Sequence, residues 1–187
     1  MKCRAVIYLL ISSLLCSCVA AVVAGAAAGV IVYDRRSLKS IESDLRIFHL
    51  IHKAIIDDSR FNSSHINIVS FNQIVLLVGQ TPYPSLRINA EKLAQNTPAV
   101  RRVYNELTIG EPLPLKQNTT DVFITGQVRS FMLSRKGLES GSIRVVTENS
   151  VVYLMGIVTH EQAELAVDVA RHVEGVRKVV KVFRYIT

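Results

Sequence analysis

Several things are scarce in this sequence, and each shortage removes a class of protein. There is no tryptophan, and aromatic residues are only 6% of the chain. The three cysteines, Cys3, Cys16 and Cys18, all lie at the N-terminus. The rest of the chain therefore holds no disulfide, no thiol nucleophile and no cysteine-bound metal. From Ala5 to Tyr33 there is no charged residue. The net charge of +7 is mild and no short Lys/Arg-dense run accompanies it, so nucleic acid is not an expected partner. No Gly-x-Ser-x-Gly, phosphate loop or dinucleotide fingerprint appears, and none of the serines sits in a recognisable motif. What remains is 187 residues, 49% of them apolar, enough for one ordinary domain or two small ones with a buried core.

The N-terminus points to a compartment. Lys2 and Arg4 precede an apolar run, Val6 to Leu15, followed by Leu15-Cys16-Ser17-Cys18. That order is a secretory signal, and Leu-x-Ser-Cys resembles the lipobox of bacterial lipoproteins. The resemblance implies a signal peptide over 1–17, cleavage before Cys18, diacylglycerol on its thiol and a further acyl chain such as palmitate on its new amine. Cys16 fits less well, because Leu15 before it is not small. Val19, rather than Asp, follows Cys18, which in such lipoproteins implies the outer membrane. The competing reading is a transmembrane helix, since Ala5 to Tyr33 is long enough to span a bilayer. The stretch left after cleavage, Val19 to Val32, is too short to do so. Cleavage removes Lys2 and Arg4 and no acid, lowering the net charge from +7 to +5.

The remainder contains an internal repeat. Ile66-Asn-Ile-Val-Ser-Phe-Asn-Gln-Ile-Val-Leu-Leu-Val-Gly79 aligns with Ile143-Arg-Val-Val-Thr-Glu-Asn-Ser-Val-Val-Tyr-Leu-Met-Gly156. Ile66/Ile143, Val69/Val146, Asn72/Asn149, Val75/Val152, Leu77/Leu154 and Gly79/Gly156 are identical. One extra residue in the Pro-rich turn Thr81-Pro-Tyr-Pro84 shortens the offset by one. Ala94/Ala170, Val100/Val176, Arg101/Arg177 and Val103/Val179 then match. The spacing predicts a helix over Ile41 to Asp57 and another over Val122 to Ser134. Each leads into two short strands joined by a tight turn at Asn72-Gln73 or Asn149-Ser150. Gly79 and Gly156 are expected to end the second strands. Second helices over Ser85 to Gln95 and Glu161 to His172, and last strands over Val100 to Ile109 and Val176 to Ile186, complete αββαβ twice. The fold class is α+β, with each three-stranded mixed sheet covered by two helices. Modules are expected at 41–110 and 119–187, joined by a stiff linker over 111–118 and preceded by a lipidated linker over 18–40.

This repeated strand–Gly–helix–Gly-Val module resembles the BON domain. Two in tandem behind a lipobox resemble the dual-BON outer-membrane lipoproteins of the DolP type. Cys18-Val-Ala-Ala-Val-Val23, Val75-Leu-Leu-Val-Gly-Gln80, Val103-Tyr-Asn-Glu106, Val146-Thr-Glu-Asn149 and Leu154-Met-Gly156 carry the likeness. It implies a lipid-anchored periplasmic protein enriched at the division site, supporting envelope integrity. Its second module would bind anionic phospholipid, phosphatidylglycerol or cardiolipin. A contact with the outer-membrane β-barrel assembly machinery is implied as well, and an adaptor without lipid recognition is the alternative function. Two departures stand out: Phe123 replaces the family's usual Trp, and Pro98-Ala99 stands where the second copy has Gly175.

No catalytic constellation, cofactor or metal site is expected. His49 and His52 share a helix face without a matching acidic or thiol partner. His160-Glu161 lacks the second His of a zinc protease motif and reads as a helix start. Asp57-Asp58 lacks the alternating pattern of a calcium loop. On a helical wheel of about 100° per residue, Ile124, Val128, Phe131 and Met132 cluster toward the core. Phe123 points away, beside Gly126, Gln127 and Ser130, with Leu133 further along and Arg129, Arg135 and Lys136 nearby. An outward ring among small residues and cations suits a membrane interface. The alternative is that Phe123 packs under the first module or the linker.

Overall fold

The computed structural model describes residues 34–187. The expected signal peptide, Cys18 and most of the lipidated linker lie outside the described residues. The element order is α1 (Leu38–Ile56), β1 (His65–Phe71), β2 (Ile74–Thr81), α2 (Pro84–Gln95) and β3 (Arg102–Ile109). It repeats as α3 (Leu115–Ser134), β4 (Ile143–Glu148), β5 (Val151–Val158), α4 (His160–Arg171) and β6 (Lys178–Tyr185). Each module is αββαβ with its own mixed sheet, β1-β2-β3 and β4-β5-β6. The first two strands of each pair antiparallel and the last two parallel. Registers obey the repeat: Ile66 faces Gly79 as Ile143 faces Gly156, and Val75 lies beside Val103 as Val152 lies beside Val179.

Both hairpins turn through two residues in the left-handed region, Asn72 and Gln73 (φ 52° and 65°) and Asn149 and Ser150 (φ 50° and 61°). Two such residues match the twist of the flanking strands, but Gln73 and Ser150 carry a Cβ that disfavours this conformation. One buried carboxylate compensates in each module. Asp44 on α1 accepts the N–H groups of Asn72 and Gln73, both at 2.7 Å. Asp121 on α3 accepts those of Asn149 and Ser150 at 2.7 and 2.8 Å. These aspartates lock each first helix to its hairpin.

The helices cover the inner sheet faces. In the first module Ile47, Ile51 and Ile55 of α1 and Leu86, Ala90 and Ala94 of α2 pack over Ile68, Val75 and Leu77. In the second, Ile124, Val128 and Met132 of α3 and Ala163, Ala166 and Ala170 of α4 pack over Val145, Val152 and Leu154. The opposite sheet faces pack on each other. Val69, Phe71, Leu76 and Val78 meet Val146, Tyr153, Met155 and Val182 in a third apolar layer. Burying a side chain of this size stabilises by about 1.5–3 kcal/mol, so the middle layer binds the modules firmly. At its edge Gln80 donates to Glu148 at 2.8 Å and accepts the Leu113 N–H at 3.2 Å, tying sheet to sheet and to the linker. Burial, with Glu106 and Glu148 nearby, pushes the Tyr153 hydroxyl up to about 12.

Three expectations need correction. Helix α3 begins at Leu115, inside the stretch read as linker and seven residues before Val122. Pro114, extended at φ −65°, stands at its N-terminal boundary. The Thr119 and Thr120 hydroxyls bond back to the carbonyls of Leu115 and Lys116. β-Branched residues are weak helix formers, which hid these turns. Strands β2 and β5 also run past Gly79 and Gly156, to Thr81 and Val158. These glycines admit a neighbouring backbone: a Cβ on Gly79 would sit 2.1 Å from the His65 oxygen, and one on Gly156 2.7 Å from the Ser142 oxygen. Finally, Phe131 is exposed rather than part of the core. Ile124, Val128 and Met132 fill the buried arc of α3, and Phe131 falls on its flank.

Candidate membrane interface

Helix α3 is held along one side, which fixes what its outer face presents. Asp121 anchors it to the β4–β5 hairpin, Thr125 shares a 2.7 Å hydrogen bond with Thr147 on β4, and the Arg129 guanidinium donates to the Val145 carbonyl at 3.1 Å. Phe123 points outward and is 65% exposed, with no cover from the first module or the linker. Gly126, Ser130 and Leu133 lie on the same exposed side. A Cβ on Gly126 would meet nothing within 4 Å, so the groove beside the ring is open.

Not every residue of the expected patch is equally available. Gln127 is half-buried, and its side-chain oxygen is buried without a hydrogen-bond partner. Arg129 is exposed but committed at one nitrogen to Val145, and Arg135 pairs with Asp168 at 3.3 Å. Lys136 is exposed and makes no ion pair among the described residues. Burial, then Arg36 and Arg129, holds the Arg144 guanidinium below its ordinary range.

Two apolar residues escaped the sequence reading. Val122 is 73% exposed and Leu115 79% exposed. On the wheel they fall close to Leu133, so the face holds a lengthwise apolar stripe beside Phe123. The signal was the recurrence of apolar residues at 115, 122 and 133, obscured while the first turns of α3 were taken as linker. From Leu115 to Leu138 the one acid is Asp121, and it is buried. The exposed face of α3 is thus apolar and cationic, with no carboxylate.

His49, His52 and His160 lie elsewhere. His49 and His52 are exposed on α1 and flank the Phe48 ring, each with ring centroids 5.3 Å from it. His160 opens α4 and stacks on Tyr185 at 4.2 Å, with Glu161 in the first turn. Among the described residues no three His, Cys, Asp or Glu side chains gather to hold a metal, and no helix is long and apolar enough to cross a membrane.

The duplicated αββαβ modules have a counterpart among known families: the BON domain matches residues 43–111 and again 120–187. The chain belongs to the BON-domain family. Among its BON relatives is the outer membrane lipoprotein DolP of Haemophilus influenzae, 36% identical over 171 residues, covering 90% of this chain and 89% of that protein. The 21 kDa hemolysin of Actinobacillus pleuropneumoniae is 38% identical over 123 residues, 66% of this chain and 63% of its own length. The C-terminal domain of CdsD, a type III secretion structural protein of Chlamydia trachomatis, covers 79% of this BON chain and 98% of its own at 11% identity. Its TM-score of 0.32 is too low to support any inference.

Proposed function

We propose that this chain is an outer-membrane lipoprotein facing the periplasm, acylated at Cys18, whose second BON module binds anionic phospholipid through the outer face of α3. In that role it supports envelope integrity. The observation that carries the reading is the exposed Phe123, set in an apolar stripe on a helix whose exposed face has no carboxylate. At an interface the ring and the stripe enter the acyl boundary, while Arg129, Arg135 and Lys136 meet phosphates. The DolP-type resemblance of the whole chain supports the anchor and the compartment. Phosphatidylglycerol and cardiolipin are the headgroups this reading names.

Flotation tests it. The chain from Val19 onward, which lacks the acyl anchor, should float with phosphatidylglycerol-containing vesicles and poorly with phosphatidylcholine alone, and added salt should weaken the association. Equal flotation with both would remove the anionic-lipid claim. A purified mature protein whose intact mass lacks acyl chains at Cys18 would remove the anchor.

A further inference from the structure

Packing the two sheets together leaves two grooves, each between the first helix of one module and the first strand of the other. One groove, about 310 Å³, includes Asp44, Leu45, Phe48 and Ser70, with Arg144 reaching in from β4. The other, about 550 Å³, includes Asp121, Val122, Thr125 and Thr147, with Asn67 reaching in from β1. At the offset of the repeat these residues correspond one to one, and Asn67 and Arg144 exchange places across the module boundary. The grooves are two versions of one site.

In the first version a cation fills the open side of the carboxylate. Arg36, on the extended stretch leading into α1, places Nη1 3.0 Å from Asp44 Oδ2 and holds its guanidinium carbon 4.2 Å from the centre of the Phe71 ring. Asp34 grips the same guanidinium. The second version lacks that cation. The position matching Arg36 is Leu113, whose N–H goes to Gln80. Asp121 Oδ2 accepts from the Asn149 N–H, as Asp44 Oδ2 does from Asn72, but among the described residues no guanidinium reaches it. The position matching Phe71 is Glu148, only 8% exposed, whose Oε1 takes a bond from Gln80 and whose Oε2 lies 3.9 Å from His65 Nε2. A larger cavity, two buried carboxylates on its wall and a sister groove that holds a cation define what is missing.

We propose that the groove lined by Asp121, Thr125 and Glu148 binds an arginine side chain presented by an extended segment of a partner protein. The guanidinium occupies the place that Arg36 fills in the first module. A planar fork suits carboxylates that already hold backbone or amide donors, because it can approach each from its open side. The sister groove shows the delivery: an extended stretch running along the module boundary. Arg129 also lines the groove, with one nitrogen committed to the Val145 carbonyl. Val122, Gly126 and Arg129 border both this groove and the proposed membrane face, so the test uses neutral micelles, in which the anionic-lipid reading makes no claim and the two can fail separately.

The test is amide chemical-shift mapping of the mature full chain in neutral micelles, titrated with acetyl-Ala-Arg-Ala amide. Saturable shifts are expected at Thr125, Gly126, Thr147 and Glu148, and not at Phe48 or Ser70. Glu148→Gln should weaken binding about tenfold, as loss of one charge-assisted bond implies. Leu113→Arg, which installs the sister groove's cation at the position matching Arg36, should occupy the groove and abolish the shifts while leaving the spectrum otherwise folded, and it carries the test if Glu148→Gln does not fold. The citrulline peptide should give no shifts. Absence of saturable shifts, equal binding of the lysine peptide or free ethanolamine, or unchanged binding by both variants would overturn the proposal.

Discussion

The first helices of the two modules make an internal experiment. α1 and α3 bury matching residues, Ile47, Ile51 and Ile55 against Ile124, Val128 and Met132, and use matching aspartates to grip their hairpins. Their outer faces diverge. Where α3 shows Phe123, α1 has Arg46, paired with Glu42 at 3.6 Å. Where α3 has Ser130, α1 has Lys53, paired with Asp57 at 2.6 Å. Exposed i, i+4 ion pairs contribute little stability, but they place carboxylates on α1 that an anionic surface would repel. The scaffold is held constant by what each module must bury, and the difference in surface is the reason the proposed membrane role falls to α3 rather than α1.

The comparison breaks most severely at the glycines. Gly79→Ala should destabilise by about 3 kcal/mol or more, since a Cβ would overlap the His65 carbonyl and Gly79 sits at φ 124°. Gly156→Ala, whose clash is milder, should cost less. Urea denaturation of both variants measures the difference, and equal costs would mean that the strands relax alike.

The surfaces are compared next. Phe123→Glu should abolish flotation with anionic vesicles and leave the fold intact, because the lost apolar contact is worth about 1.5–3 kcal/mol and the new charge repels the headgroups. Arg46→Glu on α1 should leave flotation unchanged. Unfolding of Phe123→Glu would make the ring structural; a folded variant that still floats would move the lipid site elsewhere.

The middle layer predicts an alkaline limb. Tyr153 ionises near its ordinary value in the unfolded chain and at about 12 in the folded one. The folded state therefore keeps its proton longer, and stability falls as pH rises from about 10 toward 12. Tyr153→Phe should flatten that limb in pH-dependent melting; an unchanged slope would assign it to other groups. The smallest effect concerns a turn that differs between the copies. Ala99 sits at φ 69° where the second module has Gly175 at φ 85°. Ala99→Gly should raise stability by about 1 kcal/mol, relieving the strain of a left-handed Cβ, and a thermal midpoint that fell instead would show the strain to be absorbed.

Much of this was legible. Identities at fixed spacing gave the repeat, and Asn72-Gln73 and Asn149-Ser150 marked both hairpins. The middle layer was missed, although Val75-Leu-Leu-Val78 and Val152-Tyr-Leu-Met155 lack the alternation of strands wetted on one face. Asp44 and Asp121 were missed because an acid in a helical pattern reads as solvated, and only the hairpin brought against it reveals the contact. Phe131 was misplaced because a wheel states direction but not how wide an arc the neighbouring sheet covers. The outward direction of Phe123 was readable from the same wheel; the stripe of Leu115 and Val122 was not, while the threonine-rich turns passed for linker.

The shared middle layer also has a consequence for how the polypeptide is made. Val69, Phe71, Leu76 and Val78 are synthesised early, yet their cover includes Val182, 104 residues after Val78. Until β6 has emerged, the first module has an uncovered sticky face, and contacts so distant in sequence form slowly. A holding chaperone would matter most during that interval, and a nascent chain stalled before β6 would be the form most prone to associate with its neighbours.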